Sequence, residues 1–248
     1  RLRDCLWSQR LGQIVPDHRK DEIVDHLATL VRDPWLRTQV SAIGALGELK
    51  ATKALPDLAC GGSYGTGGTL TFSGHAPDGA FFATVFPMCG GYGGSKGADG
   101  LVHGPLPIGL AQFPKLEASE HDFPVRWDAM ELRPDSAGAG RWRGGSGTVL
   151  RFKALVPMTV SFLGDRARFG PFGVVGGQPA AKTEIVVKNK DGLTGGPGFS
   201  QIKGVKIEPG DWVEMKSAGG GGYGTAAERD PTLIKADLAD GIVTKATA

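Results

Sequence analysis

The tightest grouping of chemically capable side chains in this sequence is Lys96, Asp99 and His103: a cation, a carboxylate and an imidazole within the glycine-interrupted segment SKGADGLVHG. Such a set could bind a carboxylate or shuttle a proton, so these three are the candidate catalytic residues. The bland alternative is an ordinary polar loop, because no supporting shell of side chains can be read from sequence. His121 and Asp122 stand side by side and could ligate a metal with distant partners. An isolated adjacent pair defines no site, however, and no metal ligand is assigned. Asp165, Arg166 and Arg168 flank the turn FGPFG, while Glu131, Arg133, Asp135, Arg141 and Arg143 bracket the turn at Pro134. Both blocks read as salt-bridged architecture.

Several familiar patterns are missing. There is no HExxH, and Ser146 within GGSG lacks the spacing of a nucleophile elbow. The phosphate-cradling pattern GxxxxGK[ST] is absent too: Lys96 lies within Gly93 to Gly97, but no Ser or Thr follows it. No cofactor is therefore assigned to this chain. Cys5, Cys60 and Cys89 are widely separated and form no CxxC pair, which argues for reduced thiols. The 28 basic against 26 acidic residues leave a formal charge of +2 with no dense basic run, which disfavours nucleic acid as a partner. No long apolar window and no leader-like start are visible, so the expectation is a cytoplasmic protein without a membrane segment.

What must hold the candidate residues is mostly glycine. The chain has 40 glycines and 16 prolines among 248 residues, and 36 of the glycines fall between Cys60 and Gly224. Hydrophobic residues still make up 40%, enough for a folded core. Six clusters stand out: Gly61 to Gly68, Gly90 to Gly100, Gly138 to Gly147, Gly170 to Gly177, Gly192 to Gly198 and Gly219 to Gly224. Linkers seldom interleave aromatics such as Tyr64, Tyr92, Trp142, Phe172 and Tyr223, so the clusters are expected to pack. Backbone without Cβ permits extended, polyproline-II-like segments to lie side by side.

Two regions follow from this: a helical module over 1–59 and a glycine-rich β domain over 60–248. In the first, Ile23, Val24, Leu27, Leu30 and Val31 form an apolar stripe between Asp21 and Arg32, and a second helix is expected from Trp35 to about Ala54. In the second, eight β-type runs alternate with turns: Leu70 to Phe72, Ala80 to Phe86, Val125 to Leu132, Thr148 to Val156, Thr159 to Leu163, Glu184 to Lys188, Ile202 to Ile207 and Trp212 to Lys216. That pattern predicts a mainly β fold of sheets or a barrel-like arrangement. A closing helix is expected after Asp230 as N-cap and Pro231 at its first position, with Gly241 as its stop.

Taken in order, ELRPDSAGAGRWRGGSG (Glu131 to Gly147), LGDRARFGPFGVVGGQPA (Leu163 to Ala180), EPGDWVEMKSAGGGGYG (Glu208 to Gly224) and ERDPTLIKADLADGIV (Glu228 to Val243) resemble the C-terminal half of the hydantoinase B family. GGYGGSKGADG (Gly90 to Gly100) resembles that family's preceding glycine loop. The resemblance spans roughly residues 60 to 245, and the stretch from Arg1 to Lys53 does not clearly match. It implies a barrel-like β fold joined to polyproline-II-like segments. It also implies membership of a hetero-oligomer with a hydantoinase A-type partner that carries ATP and Mg, and a ketone, lactam or cyclic amide as substrate. Within the family, YGGSKGADG and the short length lean toward the acetophenone carboxylase branch. A component of an ATP-dependent hydantoinase or 5-oxoprolinase is the alternative. A purely structural assembly component is the rival from another class, and a carbohydrate-binding β domain is a third reading. The family's metal-binding positions lie outside the matching half, so none is carried over.

Overall fold

The computed structural model describes residues 59–65, 67–104 and 114–246. The helical module expected over 1–59 lies outside them apart from its last residue, as does Cys5. Among the described residues there are nine strands: β1 Gly68–His75, β2 Phe81–Met88, β3 Val125–Leu132, β4 Thr148–Ala154, β5 Met158–Leu163, β6 Glu184–Asn189, β7 Gly192–Pro197, β8 Gln201–Ile207 and β9 Trp212–Lys216. The described residues also form two helices, α1 Leu116–Asp122 and α2 Pro231–Ala239, and a 3-10 turn at Ala226–Glu228. All eight expected strands form. The ninth, β7, arises where a glycine cluster was expected to pack.

Every strand pair is antiparallel, in two sheets ordered β2-β1-β5-β8 and β3-β4-β9-β6-β7. Alternation decides which face is buried: Leu70 and Phe72 of β1, Leu150 and Phe152 of β4, Ile185 and Val187 of β6, and Val213 and Met215 of β9 are all in the core. The sheets lie face to face. Phe72 stacks 5.4 Å from Phe152, and Phe86 lies 4.6 Å from Trp127 between ring centroids.

The expectation of a barrel-like closure is corrected here: these are two open sheets, with β2, β8, β3 and β7 as edges. Closure would need edge strands to keep pairing. Pro87 in β2 and Pro197 in β7 have no N–H to offer, which suits them to edges. The aromatic layers meanwhile fill the space between facing sheets as in a sandwich.

Five of the glycine segments leave the same end of the sandwich. Residues 61–65 precede β1, 89–94 follow β2, 138–147 lead into β4, 170–178 lie between β5 and β6, and 217–224 follow β9. They come together around Gly220, Gly221 and Gly222. Gly220 donates to the carbonyl of Gly145 (2.9 Å) and accepts from Gly138 N–H (2.8 Å). Gly221 donates to Gly62 (2.8 Å) and accepts from Gly94 (2.9 Å); Gly222 donates to Gln178 (3.0 Å) and accepts from Val174 (2.9 Å). Each successive residue thus bonds to different neighbours, and Tyr223, three residues after Gly220, returns to the 138–147 segment by exchanging backbone hydrogen bonds with Trp142 (2.8 and 2.9 Å). A Cβ on Gly219 would strike the carbonyl of Ser136, and one on Gly222 that of Ala139. A three-residue repeat is that of a polyproline II helix, and here its backbone groups are satisfied by other segments.

Five of the six glycine clusters join this bundle, and each contains an aromatic residue. The exception, Gly192 to Gly198, contains none. It forms β7 instead, paired with β6 and largely exposed, which corrects the expectation that all six pack.

Candidate functional site

The segment carrying Lys96, Asp99 and His103 leaves the bundle after Gly94 and returns to it at Gly100. Ser95 and Ala98 exchange backbone hydrogen bonds (3.0 and 3.1 Å), closing a two-residue hairpin. Its tip is Lys96-Gly97, where Gly97 takes φ 91°, a conformation that favours glycine. Lys96 is exposed at this tip.

Asp99 has a different use. Its Oδ1 and Oδ2 receive both terminal nitrogens of Arg229 at 2.8 Å, a bidentate pair, and Oδ1 also accepts from the Arg143 N–H (2.8 Å). Arg229 donates further to Asp237 Oδ2 (2.6 Å), and Arg143 Nε donates to Asp237 Oδ1 (2.7 Å). Two guanidinium groups and two carboxylates therefore form a closed clamp. The side chains of Arg229 and Asp237 are each only 7% exposed. Burial opposes the charge on Arg229, but the hydrogen bonds and field of Asp99 and Asp237 outweigh it and raise its pKa above the ordinary value.

His103 sits across the same loop, half-buried, in a left-handed backbone conformation (φ 50°), with its N–H directed at the carbonyl of Ser146 (3.4 Å). Burial lowers its pKa, so its imidazole is held neutral more readily than a free one. The three candidates thus occupy three settings: a hairpin tip, a charge clamp and the flank of the bundle.

The clamp was not legible as a unit, although one signal pointed to it. Asp237 lies on the stripe of Leu233, Ile234 and Leu238 in α2, and a carboxylate on an apolar stripe calls for a buried cation. Arg229, just before the N-cap Asp230, supplies it. Asp230 itself caps α2 as expected, accepting from Thr232 N–H at 2.8 Å. Arg133 and Asp135 prove architectural: Arg133 pairs with Glu184 (2.6 Å), and Asp135 accepts from the N–H and hydroxyl of Thr244. Arg166 donates to the carbonyl of Ser63 (3.1 Å). Ser146 is fully buried and bonded to Ser136 and the carbonyl of Arg133, a structural hydroxyl. His121 and Asp122 touch each other at 3.0 Å on the exposed end of α1. Among the described residues no group of three or more His, Cys, Asp or Glu is placed to hold a metal ion. Cys60 and Cys89 are free thiols. No helix among the described residues is long and apolar enough to cross a membrane.

Beside the clamp, Lys96 and Arg141 line one cleft of about 420 Å³ together with Trp142, Val175, Tyr223 and Glu228. The clamp reaches this wall directly, since Arg229 also donates to the carbonyl of Arg141 (3.2 Å).

The family model of hydantoinase B/oxoprolinase matches residues 36–226, more than three quarters of the chain. The chain belongs to the hydantoinase B/oxoprolinase family. The matched range begins ahead of Cys60, inside the segment read as a helical module, and stops before α2. Among curated relatives, the chain is 27% identical over 179 residues to the B-type subunit of a putative D-/L-hydantoinase from Pseudomonas sp. (strain NS671), covering 72% of this chain and 30% of that protein. It is 29% identical over 192 residues to the beta chain of the caprolactamase of Pseudomonas jessenii, covering 73% and 33%. It is 30% identical over 171 residues to the 5-oxoprolinase of Saccharomyces cerevisiae, covering 65% and 13%. This hydantoinase B-type chain therefore spans a third or less of the length of these relatives. The fold is shared with the ATP-dependent caprolactamase of Pseudomonas jessenii (TM-score 0.68, 24% identity, 84% of this chain and 38% of that one). It is also shared with nucleotide-free acetone carboxylase (TM-score 0.66, 17% identity, 83% and 32%).

Proposed function

We propose that this chain is part of the B-type subunit of a cytoplasmic, ATP-dependent enzyme that hydrolyses a cyclic amide, working with a hydantoinase A-type partner that binds ATP and Mg. The observation that supports this reading most is the family match over 36–226, together with relatives whose names concern hydantoin, caprolactam and 5-oxoproline. The bundle suits the role. Backbone packed without side chains gives a rigid wall that need not reorganise when an activated intermediate forms, which is what electrostatic preorganisation requires. Carboxylation of a ketone, including acetophenone-like substrates, is the second reading, and the shared fold with acetone carboxylase favours it.

In this reading Lys96, Asp99 and His103 remain the candidate polar groups. Lys96 and His103 are the candidates for direct contact, and Asp99 acts through Arg229 to hold the hairpin in place. The test is reconstitution with a hydantoinase A-type partner, measuring ATP hydrolysis with hydantoin, 5-oxoproline or caprolactam, and with acetone or acetophenone plus bicarbonate. Expected is ATP turnover that needs both chains and a cyclic amide. No dependence on this chain for any substrate would overturn the proposal. Turnover unchanged by Lys96→Ala and His103→Ala would leave only the assembly role.

A further inference from the structure

One wall of the cleft is held in an unfavourable backbone conformation. Val175 takes φ 54°, a left-handed region that β-branched residues avoid. The turn is fixed there from both sides: Val174 N–H donates to Gly222 (2.9 Å), while the carbonyl of Val174 accepts from Gly177 (2.9 Å) and Gly224 (3.1 Å). Tied to the bundle in this way, Val175 is left 43% exposed at the cleft. Strain imposed by surroundings at the rim of a cavity points to a use for the side chain. A space of about 420 Å³ also suits a small organic molecule.

The charges in the cleft favour an anion. Lys96 and Arg141 are both cations there, and among the described lining residues the one carboxylate, Glu228, lies 3.7 Å from Arg141 with both side chains more than half exposed. So long and wet an ion pair contributes little, so the guanidinium can exchange Glu228 for a carboxylate delivered by a ligand. Trp142 and Val175 offer the ligand an apolar flank.

We infer that this cleft binds a small organic acid, its carboxylate received by Lys96 and Arg141 and its body lying against Trp142 and Val175. The inference deepens the proposed function and rests on it. Opening a cyclic amide with water breaks the C–N bond and leaves a carboxylate and an amine. Carboxylating a ketone joins its α-carbon to the carbon of bicarbonate; the α-proton is lost, one bicarbonate C–O bond breaks with its oxygen leaving as water or, after activation by ATP, on phosphate, and the product is a carboxylate as well. Under either reaction the cleft is a product-recognition site.

The test titrates the full chain with benzoate, and with benzamide as its neutral shape match, following backbone ¹H–¹⁵N shifts. Benzoate is expected to move the amides of Gly97, Gly224 and Thr225 saturably and to bind at least about tenfold more tightly than benzamide. Lys96→Met and Arg141→Gln should each weaken benzoate by about fivefold or more, and Glu228→Gln should tighten it about twofold because the competing carboxylate is gone. Equal affinity for the two probes, shifts confined to other surfaces, affinity unmoved by Lys96→Met and Arg141→Gln, or weaker binding in Glu228→Gln would each overturn the site. The titration contains neither partner nor ATP, so its failure leaves the proposed enzyme function standing. Benzoate binding that persists while reconstituted turnover fails removes the function instead.

Discussion

Replacing Gly220 by Ala tests the bundle where it is tightest. A Cβ built on Gly220 would fall 1.7 Å from the carbonyl oxygen of Tyr92, 2.1 Å from its carbon and 2.7 Å from the nitrogen of Gly93. That is roughly 1.5 to 2 Å inside van der Waals contact, and every obstacle is backbone, which cannot rotate away as a side chain would. Moving the Tyr92 segment strains the bond it accepts from Gly145 N–H (2.8 Å). Moving Gly220 strains its bonds to Gly145 and Gly138. Two or three buried backbone bonds at about 1–3 kcal/mol each, plus about 1–3 kcal/mol of overpacking, give a loss of about 3–12 kcal/mol. That rivals the whole stability of an ordinary domain. Urea unfolding followed by far-UV circular dichroism measures it. Two comparisons keep the test informative if Gly220→Ala cannot be purified. Gly140→Ala would meet Tyr223 at 2.7 Å and should lose about 2–3 kcal/mol, whereas Gly97→Ala meets nothing within 4 Å and should lose only about 1 kcal/mol from its positive φ. A Gly220→Ala chain within about 1 kcal/mol of the wild type, or Gly140→Ala no worse than Gly97→Ala, would refute the close-packed bundle.

Asp237→Asn removes one carboxylate from the clamp and leaves Arg229 and Arg143 buried with Asp99 alone, so unfolding should become easier by about 3 kcal/mol, read from the same urea transition. His103 has a folded pKa below its ordinary value because of burial, so the unfolded chain binds more protons in the window just below pH 6.5. Its contribution to stability is therefore complete above that window and is lost as the pH falls through the lowered folded value. The drop in unfolding midpoint between pH 7 and pH 5 should be smaller in His103→Asn, a residue that tolerates the same φ; an equal drop in both chains would remove His103 as its source.

Much of the β framework was visible in the chain because alternation is a local signal. Leu70 and Phe72, or Ile185 and Val187, announce a buried face without any knowledge of partners. The tail helix was equally legible, since Asp230, Pro231 and Gly241 mark its ends by local chemistry. β7 was not: in GLTGGP most side chains are absent or exposed, and its existence depends on the ladder offered by β6. α1 escaped for a similar reason. LEASEHD has no capping side chain and buries only Ser119, and it is held by Trp127, whose indole donates to Ser119 Oγ (2.6 Å) and whose N–H donates to Glu120 (2.6 Å). Barrel closure was an error of a different kind, because strand count and spacing do not say whether the last edges meet.

The candidate site shows the same division more sharply. Lys96, Asp99 and His103 were found by proximity in sequence, but what Asp99 does depends on Arg229, which lies 130 residues away. The bundle makes such a distant pairing possible. Five segments converge mainly through glycine backbone at one end of the sandwich, so the chain can bring the start of α2 against the hairpin at Lys96 within a narrow space. The clamp then fixes the register of those two pieces: Asp99 belongs to the hairpin, Arg143 to the bundle, and Arg229 and Asp237 to the tail. Since Arg229 also holds the carbonyl of Arg141, the same four charges set one wall of the cleft. A loss of ligand binding in Asp99→Ala would therefore report the position of Arg141 rather than contact with Asp99. Asp99→Glu, which keeps the charge, should restore neither the clamp nor the binding, because the longer side chain displaces the hairpin it is meant to hold.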